Sequence, residues 1–242
     1  GYSPPLIQSF YKPLPPRSLK RVLIWQGDCM TSELECNAIC RILEHHAVSY
    51  IRFNWYEAKK SDFITEYNSN NYDLVWISCH GEFDHFAPYN SRLVLNMEVD
   101  RIESQIISLS EISKLDESQN GRRLLVLNAC DGASTSLHNS PSAIGYGAKL
   151  THKFQSMISH QWPADNNACL ALGCLLTINL CQGHTYLDAF NESLKQFIDN
   201  ERSFLDKLQT KYMLGELKED ILIDQNIDHA NIFYYGSLTY LE

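Results

Sequence analysis

A chain of 242 residues can bury the core of one large domain or two small ones. Its formal net charge of −9 excludes a broad phosphate-binding face, which needs clustered Lys and Arg. Hydrophobic and charged fractions of 44% and 20% are ordinary for a soluble globular protein, no apolar run approaches the roughly 20 residues of a membrane span, and no signal peptide is recognisable.

Five of the eight prolines fall within the first sixteen residues, in "SPPLIQSFYKPLPP". Proline fixes φ and removes a donor, so residues 1–19 are expected to be an extended linker or surface arm leading from an upstream domain. The folded domain is expected over residues 20–242. "RVLIW" (Arg21 to Trp25) has the apolar run of a buried strand. Ser32 and Glu35 then stand at capping-box spacing, and Leu34, Ala38, Ile39, Ile42 and Leu43 mark one helix face. "SYIRFNWY" reads as a second strand, residues 61–68 as a helix, and "YDLVWIS" as a third strand. "RRLLVLNAC" is the fourth, "FQSMISHQW" the fifth and "ANIFYYGSLT" the last. Apolar strands alternating with helices define an α/β fold around a mostly parallel sheet, in which chemistry collects at the carboxyl ends of the strands.

Two strands end in reactive residues. "VWISCHG" delivers His80 and Gly81, and "LVLNACDG" delivers Cys130. On neighbouring parallel strands these side chains would stand side by side, as a thiol nucleophile and its base must. The amides of Gly81 and Cys130 would then be candidates for an oxyanion hole. Either residue alone has a bland reading, since cysteine is commonly buried and a strand-end histidine commonly just caps a loop. The pair is more specific. Caspases carry Gln-Ala-Cys-x-Gly with the histidine about 50 residues upstream. Here Asn128-Ala129-Cys130-Asp131-Gly132 follows His80 by 50 residues. Cys79 is the rival nucleophile, but strand alternation turns it to the face opposite His80, toward the core.

The whole pattern resembles the CHAT domain, a caspase- and separase-like cysteine peptidase module often fused to tetratricopeptide repeats. "VWISCHGEFDHFAPYNSRLVL" resembles its histidine block, "LLVLNAC" its cysteine block, and "QWPAD" (Gln161 to Asp165) its Leu-Trp-Pro-x-Asp segment. "GHTYLDAFNESLKQF" and "HANIFYYGS" are similar to its later helix and closing strand. Gly132 comes one residue earlier than in most of the family, and "NMEVDRIESQIIS" is a longer link than usual. The resemblance implies a caspase-like sandwich and peptide-bond hydrolysis without cofactor or metal. It also implies control by an attached or bound sensor, often in bacterial defence. A protein or peptide substrate is implied, with no nucleic acid or membrane partner.

Candidate pocket acids are Asp28, after the first strand, and Asp165, after the fifth; Asn128 occupies the position where some basic-specific relatives carry an acid. An acidic pocket would select Arg or Lys through charge-assisted hydrogen bonds. The competing reading makes Asp28 a turn residue and Asp165 a helix cap. The eight cysteines lie in or beside apolar segments, the usage of a reduced, cytoplasmic chain rather than a disulfide framework. Two other classes compete: a catalytically silent caspase-like adaptor, and a flavodoxin-like phosphate binder. The second would want a Gly-rich loop after the first strand, where "WQGDCMTSE" supplies one glycine.

Overall fold

The computed structural model describes residues 7–8, 14–29, 31–84, 91–94, 106–108, 111–112, 114–117, 120–129, 146–161, 165–199, 211–212, 231 and 235–242. Strands β1 (Ile7–Gln8), β2 (Arg21–Gln26), β3 (Ser49–Asn54), β4 (Leu74–Ser78), β8 (Arg123–Asn128), β9 (Gln155–His160) and β10 (Leu238–Leu241) form one sheet in the order β1-β10-β9-β8-β4-β2-β3. Every pairing is parallel except β10 with β9. A second, antiparallel sheet of β5 (His80–Glu82), β6 (Arg92–Val94) and β7 (Ile106–Ser108) continues directly from β4. The mostly parallel α/β architecture read from the sequence is the one observed.

Helices cover both faces. On one face, α1 (Ser32–His45), α4 (Asn166–Cys181) and α5 (Tyr186–Asp199) bury Val22, Ile24, Trp76 and Val126. α4 is apolar around its whole circumference because α1 and α5 both pack against it, and an all-round apolar helix is stable only when enclosed. On the other face, α2 (Lys60–Asn68), α3 (Tyr146–Leu150) and the small sheet cover Leu23, Trp25, Val75, Ile77 and Leu127. The strict alternation of these two sets along β2, β4 and β8 is the period of two expected of a strand buried on both sides.

Three local expectations changed. The last strand lies at Leu238–Leu241, at the end of the expected segment, where it pairs antiparallel with β9. The second strand stops at Asn54, because Trp55 to Glu57 turn away from the sheet edge. Most consequentially, Ser32 and Glu35 do not form a capping box. Thr31 is the cap residue, the Ser32 hydroxyl donates to the Ser78 carbonyl at 3.3 Å, and Glu35 points into the sheet. Residues 14–17 of the Pro-rich arm are tied to the amino end of the sheet: the Leu14 amide donates to the Lys153 carbonyl and the Arg17 amide to that of Arg122.

Candidate active site

Register sets the site. Gln26, Ser78 and Asn128 are Cα partners across β2, β4 and β8, so three strand ends finish level. His80 follows Ser78 by two residues, and Cys130 follows Asn128 by two. Gly27 closes this end. Its amide donates to the Ser78 carbonyl at 2.7 Å, and an added Cβ would meet that oxygen and the Cys79 Cβ at 2.7 Å each. Only glycine lets the turn after β2 lie so close to the end of β4.

A cavity of about 200 Å³ opens beyond these ends. His80, Ser78, Asn128 and Ala129 line it from the strands, Glu35 from α1, and Asn166 and Cys169 from α4. His80 is half-buried and opens β5, opposite Val94; Gly81 follows opposite Leu93. Cys79 packs in the opposite-face core with Ile77 and Leu127, and also contributes to the cavity wall. Cys130 and Asp131 lie outside the described residues; Ala129, just before Cys130, is on the cavity wall.

The remaining sequence candidates separate. Asn128 is on the wall, but both ends of its amide are engaged within the protein. Asp165 accepts the Ala168 amide at 2.9 Å through its side chain and the Cys169 amide at 2.9 Å through its carbonyl, the geometry of a helix N-cap on α4. Asp28 is half-buried in the bend after β2, and neither aspartate is on the cavity wall among the described residues.

Two residues that sequence reasoning passed over are central here. Glu35, 1% exposed, accepts three hydrogen bonds: from Trp76 Nε1 at 2.6 Å, Asn128 Nδ2 at 2.8 Å and Ser78 Oγ at 3.0 Å. Burial raises its carboxyl to about 7, and those three donors partly oppose the rise. His160, 2% exposed, ends β9 beside Asn128; burial lowers its imidazole to about 4, so it is neutral at physiological pH. Asn128 Nδ2 donates to a carboxylate, so Asn128 Oδ1 is left to accept from His160 Nε2 at 3.1 Å. His160 Nδ1 then accepts from the Ser237 hydroxyl at 2.8 Å. Cys169 Sγ lies 3.5 Å from the same Nε2. Glu35 was masked by its apparent capping role; its signal was an acid in line with Ile39 and Ile42 on the apolar stripe. His160 offered only its place at the end of an expected strand.

Burial raises the Cys29 thiol, which stands 3.7 Å from Ser78 Oγ on the cavity wall. Among the described residues no group of three or more His, Cys, Asp or Glu is placed to hold a metal ion, and no helix is long and apolar enough to cross a membrane.

The fold is similar to that of solved cysteine proteinases. The Arg specific cysteine proteinase gingipain R aligns with a TM-score of 0.55 at 12% identity, over 94% of this chain and 48% of that one. A complex of the pro- and mature domains of RgpB from Porphyromonas gingivalis aligns at 0.50 and 10% identity, again over 94% and 48%. At such identities the likeness establishes the caspase-like fold, and the chain spans about half the length of those relatives. The profile of the CHAT domain family matches residues 15–230, and the chain belongs to that family. A search of curated proteins found no match.

Proposed function

We propose that this CHAT domain is a cysteine endopeptidase in which Cys130 is the nucleophile and His80 the general base, then acid. The observation that carries this reading is the level register of Ser78 and Asn128, with His80 and Cys130 each two residues beyond its anchor, at a cavity walled by His80 and Ala129. The Cys130 thiol passes its proton to the His80 imidazole, and the sulfur attacks the scissile carbonyl carbon. The C=O electron pair moves to oxygen, held by the Gly81 and Cys130 amides. Collapse expels the amine, which takes the proton from His80. A water deprotonated by His80 then attacks the thioester, releasing the carboxylate and restoring the thiol.

A basic residue before the scissile bond is the preference this cavity supports. No Lys or Arg is on the wall among the described residues, and the one carboxylate there, Glu35, has both oxygens engaged by Trp76, Ser78 and Asn128. Control by an attached or bound sensor, a role in bacterial defence and a cytoplasmic setting rest on the family resemblance, with the free, mostly buried thiols compatible with a reducing compartment.

Peptidyl acyloxymethyl ketones bearing Arg, Leu or Asp at the reactive position test both parts, with the labelled cysteine mapped by mass spectrometry. Selective modification of Cys130, fastest with Arg and lost in His80→Ala, is expected; Cys130→Ala should remove turnover altogether. Equal labelling by all three probes would reject the basic preference alone. A Cys130 no more reactive than Cys29 or Cys181, with any regulatory partner present, would favour the silent adaptor.

A further inference from the structure

The hydrogen-bonded chain from Glu35 to Ser237 takes no part in the steps above, yet it converges on the strand end that leads to Cys130. It joins α1 through Glu35, β4 through Trp76 and Ser78, β8 through Asn128, β9 through His160, and the residue before β10 through Ser237. Each polar group in it has a partner, which makes it a fully satisfied buried network rather than a tolerated defect. Its centre, the Asn128 amide, is held from both sides in one orientation. In its ionised form Glu35 can only accept, which turns Nδ2 to Glu35 and Oδ1 to His160. A flipped amide would set Oδ1 against the Glu35 oxygen at hydrogen-bonding distance and break both contacts.

We propose that Glu35 and Asn128 are positioning residues for the nucleophile: the buried carboxylate pins the Asn128 amide, and the pinned amide fixes the strand end from which Cys130 follows two residues later. His160 serves as the far anchor, holding Asn128 Oδ1 from β9. The inference rests on the peptidase reading and predicts where its loss is felt. A misplacement of about 1 Å at a reacting atom costs about a hundredfold in rate. Substrate contacts elsewhere on the cavity wall are untouched, so the loss belongs to kcat and not to KM. Packing agrees with a fixed arrangement. Gly173 on α4 lies so close to Trp76 that an added Cβ would stand 3.0 Å from its ring, and Trp76 is thereby held onto Glu35.

The test compares the parent with Glu35→Leu, Asn128→Ala and Glu35→Gln, each verified as folded. It reads the rate of Cys130 labelling, kcat and KM on one peptide, and histidine ring ¹⁵N NMR. Glu35→Leu and Asn128→Ala are expected to lower the labelling rate and kcat at least tenfold, with KM within twofold. Glu35→Gln should restore most of the rate: its Oε1 can accept from Trp76 and Asn128 while its NH2 donates to Ser78 Oγ. In the parent, His160 should give a single neutral Nε2–H signal, and in Glu35→Leu that uniqueness should be lost.

Labelling within twofold of the parent in Glu35→Leu or Asn128→Ala would overturn the inference and leave the peptidase standing. A loss carried by KM and confined to Arg substrates would also overturn it, making Glu35 a pocket acid. If Glu35→Leu does not fold, Asn128→Ala, at a half-buried strand end, decides the matter. A parent whose Cys130 is not labelled removes the peptidase reading and this inference with it.

Discussion

Strand β8 carries a polar residue at each end, Arg123 buried and Asn128 half-buried, and the two ends behave differently. At its start, Arg123 is fully buried, and no salt bridge joins it to a carboxylate among the described residues. Its guanidinium donates to Gln155 Oε1 at 2.6 Å and to the Tyr67 carbonyl at 2.7 Å, and lies 4.2 Å from the Tyr67 ring centroid. Burial lowers it to about 10. At the other end, Asn128 meets Glu35, a buried acid with no cation beside it, and borders a cavity. Both ends bury one charge among neutral partners. The carboxyl end adds a cavity, a strand-end histidine and a strand leading to a cysteine. A buried charge alone therefore says little about function; a buried charge under a cavity, in register with reactive residues, says more.

The difference is sharpest in what each charge does for stability. Truncating Arg123 to Ala should empty a packed site and strip a donor from the Tyr67 carbonyl, for a loss of about 3 to 4 kcal/mol. The folded fraction should still label Cys130 at the parent rate, because Arg123 lies at the far end of the sheet. Urea unfolding alongside active-site titration checks both halves. A slower labelling rate in the folded protein would break the division between the two ends.

Glu35 should behave in the opposite sense. Its carboxyl ionises near 4.5 in the unfolded chain and near 7 in the fold. Between those values the folded chain holds more protons, so stability falls as pH rises from about 4.5 to 7 and levels off above that. The gap corresponds to at most about 3 kcal/mol. Glu35→Gln should therefore be more stable than the parent at pH 8, by up to that amount, and nearly equal to it at pH 4. The thiols of Cys36 and Cys174, both raised by burial and by Glu35 itself, remain neutral across this window and do not confuse it. Matching unfolding curves for the two chains at pH 8 would show that the three donors already compensate the buried charge.

Much of this could be read before any coordinates. Apolar strands ending in "SCHG" and "NACDG" declare the sheet and its reactive edge, because a strand buried on both faces must be apolar throughout and the exceptions fall at its ends. The Glu35 site could not be read this way. Ser-x-x-Glu ahead of an apolar run has a local explanation, and that explanation competes with a tertiary one that needs the register of β4 and β8 to become visible. His160 failed for the same reason: its partners, Asn128 and Ser237, are 32 and 77 residues away. Aspartates at strand ends carry two readings in the sequence, because such residues also start helices, and Asp165 does cap α4.

Smaller effects probe how the network is held. Gly173→Ala should push the Trp76 ring, whose nearest atoms lie 3.0 and 3.2 Å from the new Cβ. The strain, about 1 to 3 kcal/mol, is offset by roughly 1 kcal/mol of improved helix propensity, leaving a net loss of about 1 kcal/mol. Displacing Trp76 from Glu35 should also slow Cys130 labelling, and combining the change with Glu35→Leu should give less than the sum of the two losses. Additive losses in that cycle would mean that the ring and the carboxylate act separately.

Asp165→Ala makes the finest distinction, because two readings of one residue predict different things. As the N-cap of α4, its side chain satisfies the Ala168 amide, and its removal should cost about 1 kcal/mol with no change in the order of Arg, Leu and Asp probes. As a pocket acid, it would leave stability nearly untouched and erase any advantage of the Arg probe. Replacement by Ser or Asn separates the two again: either can cap a helix, and neither carries a charge. Stability recovered by Asn with the Arg preference intact would show that Asp165 caps α4 and that the discrimination does not come from its charge.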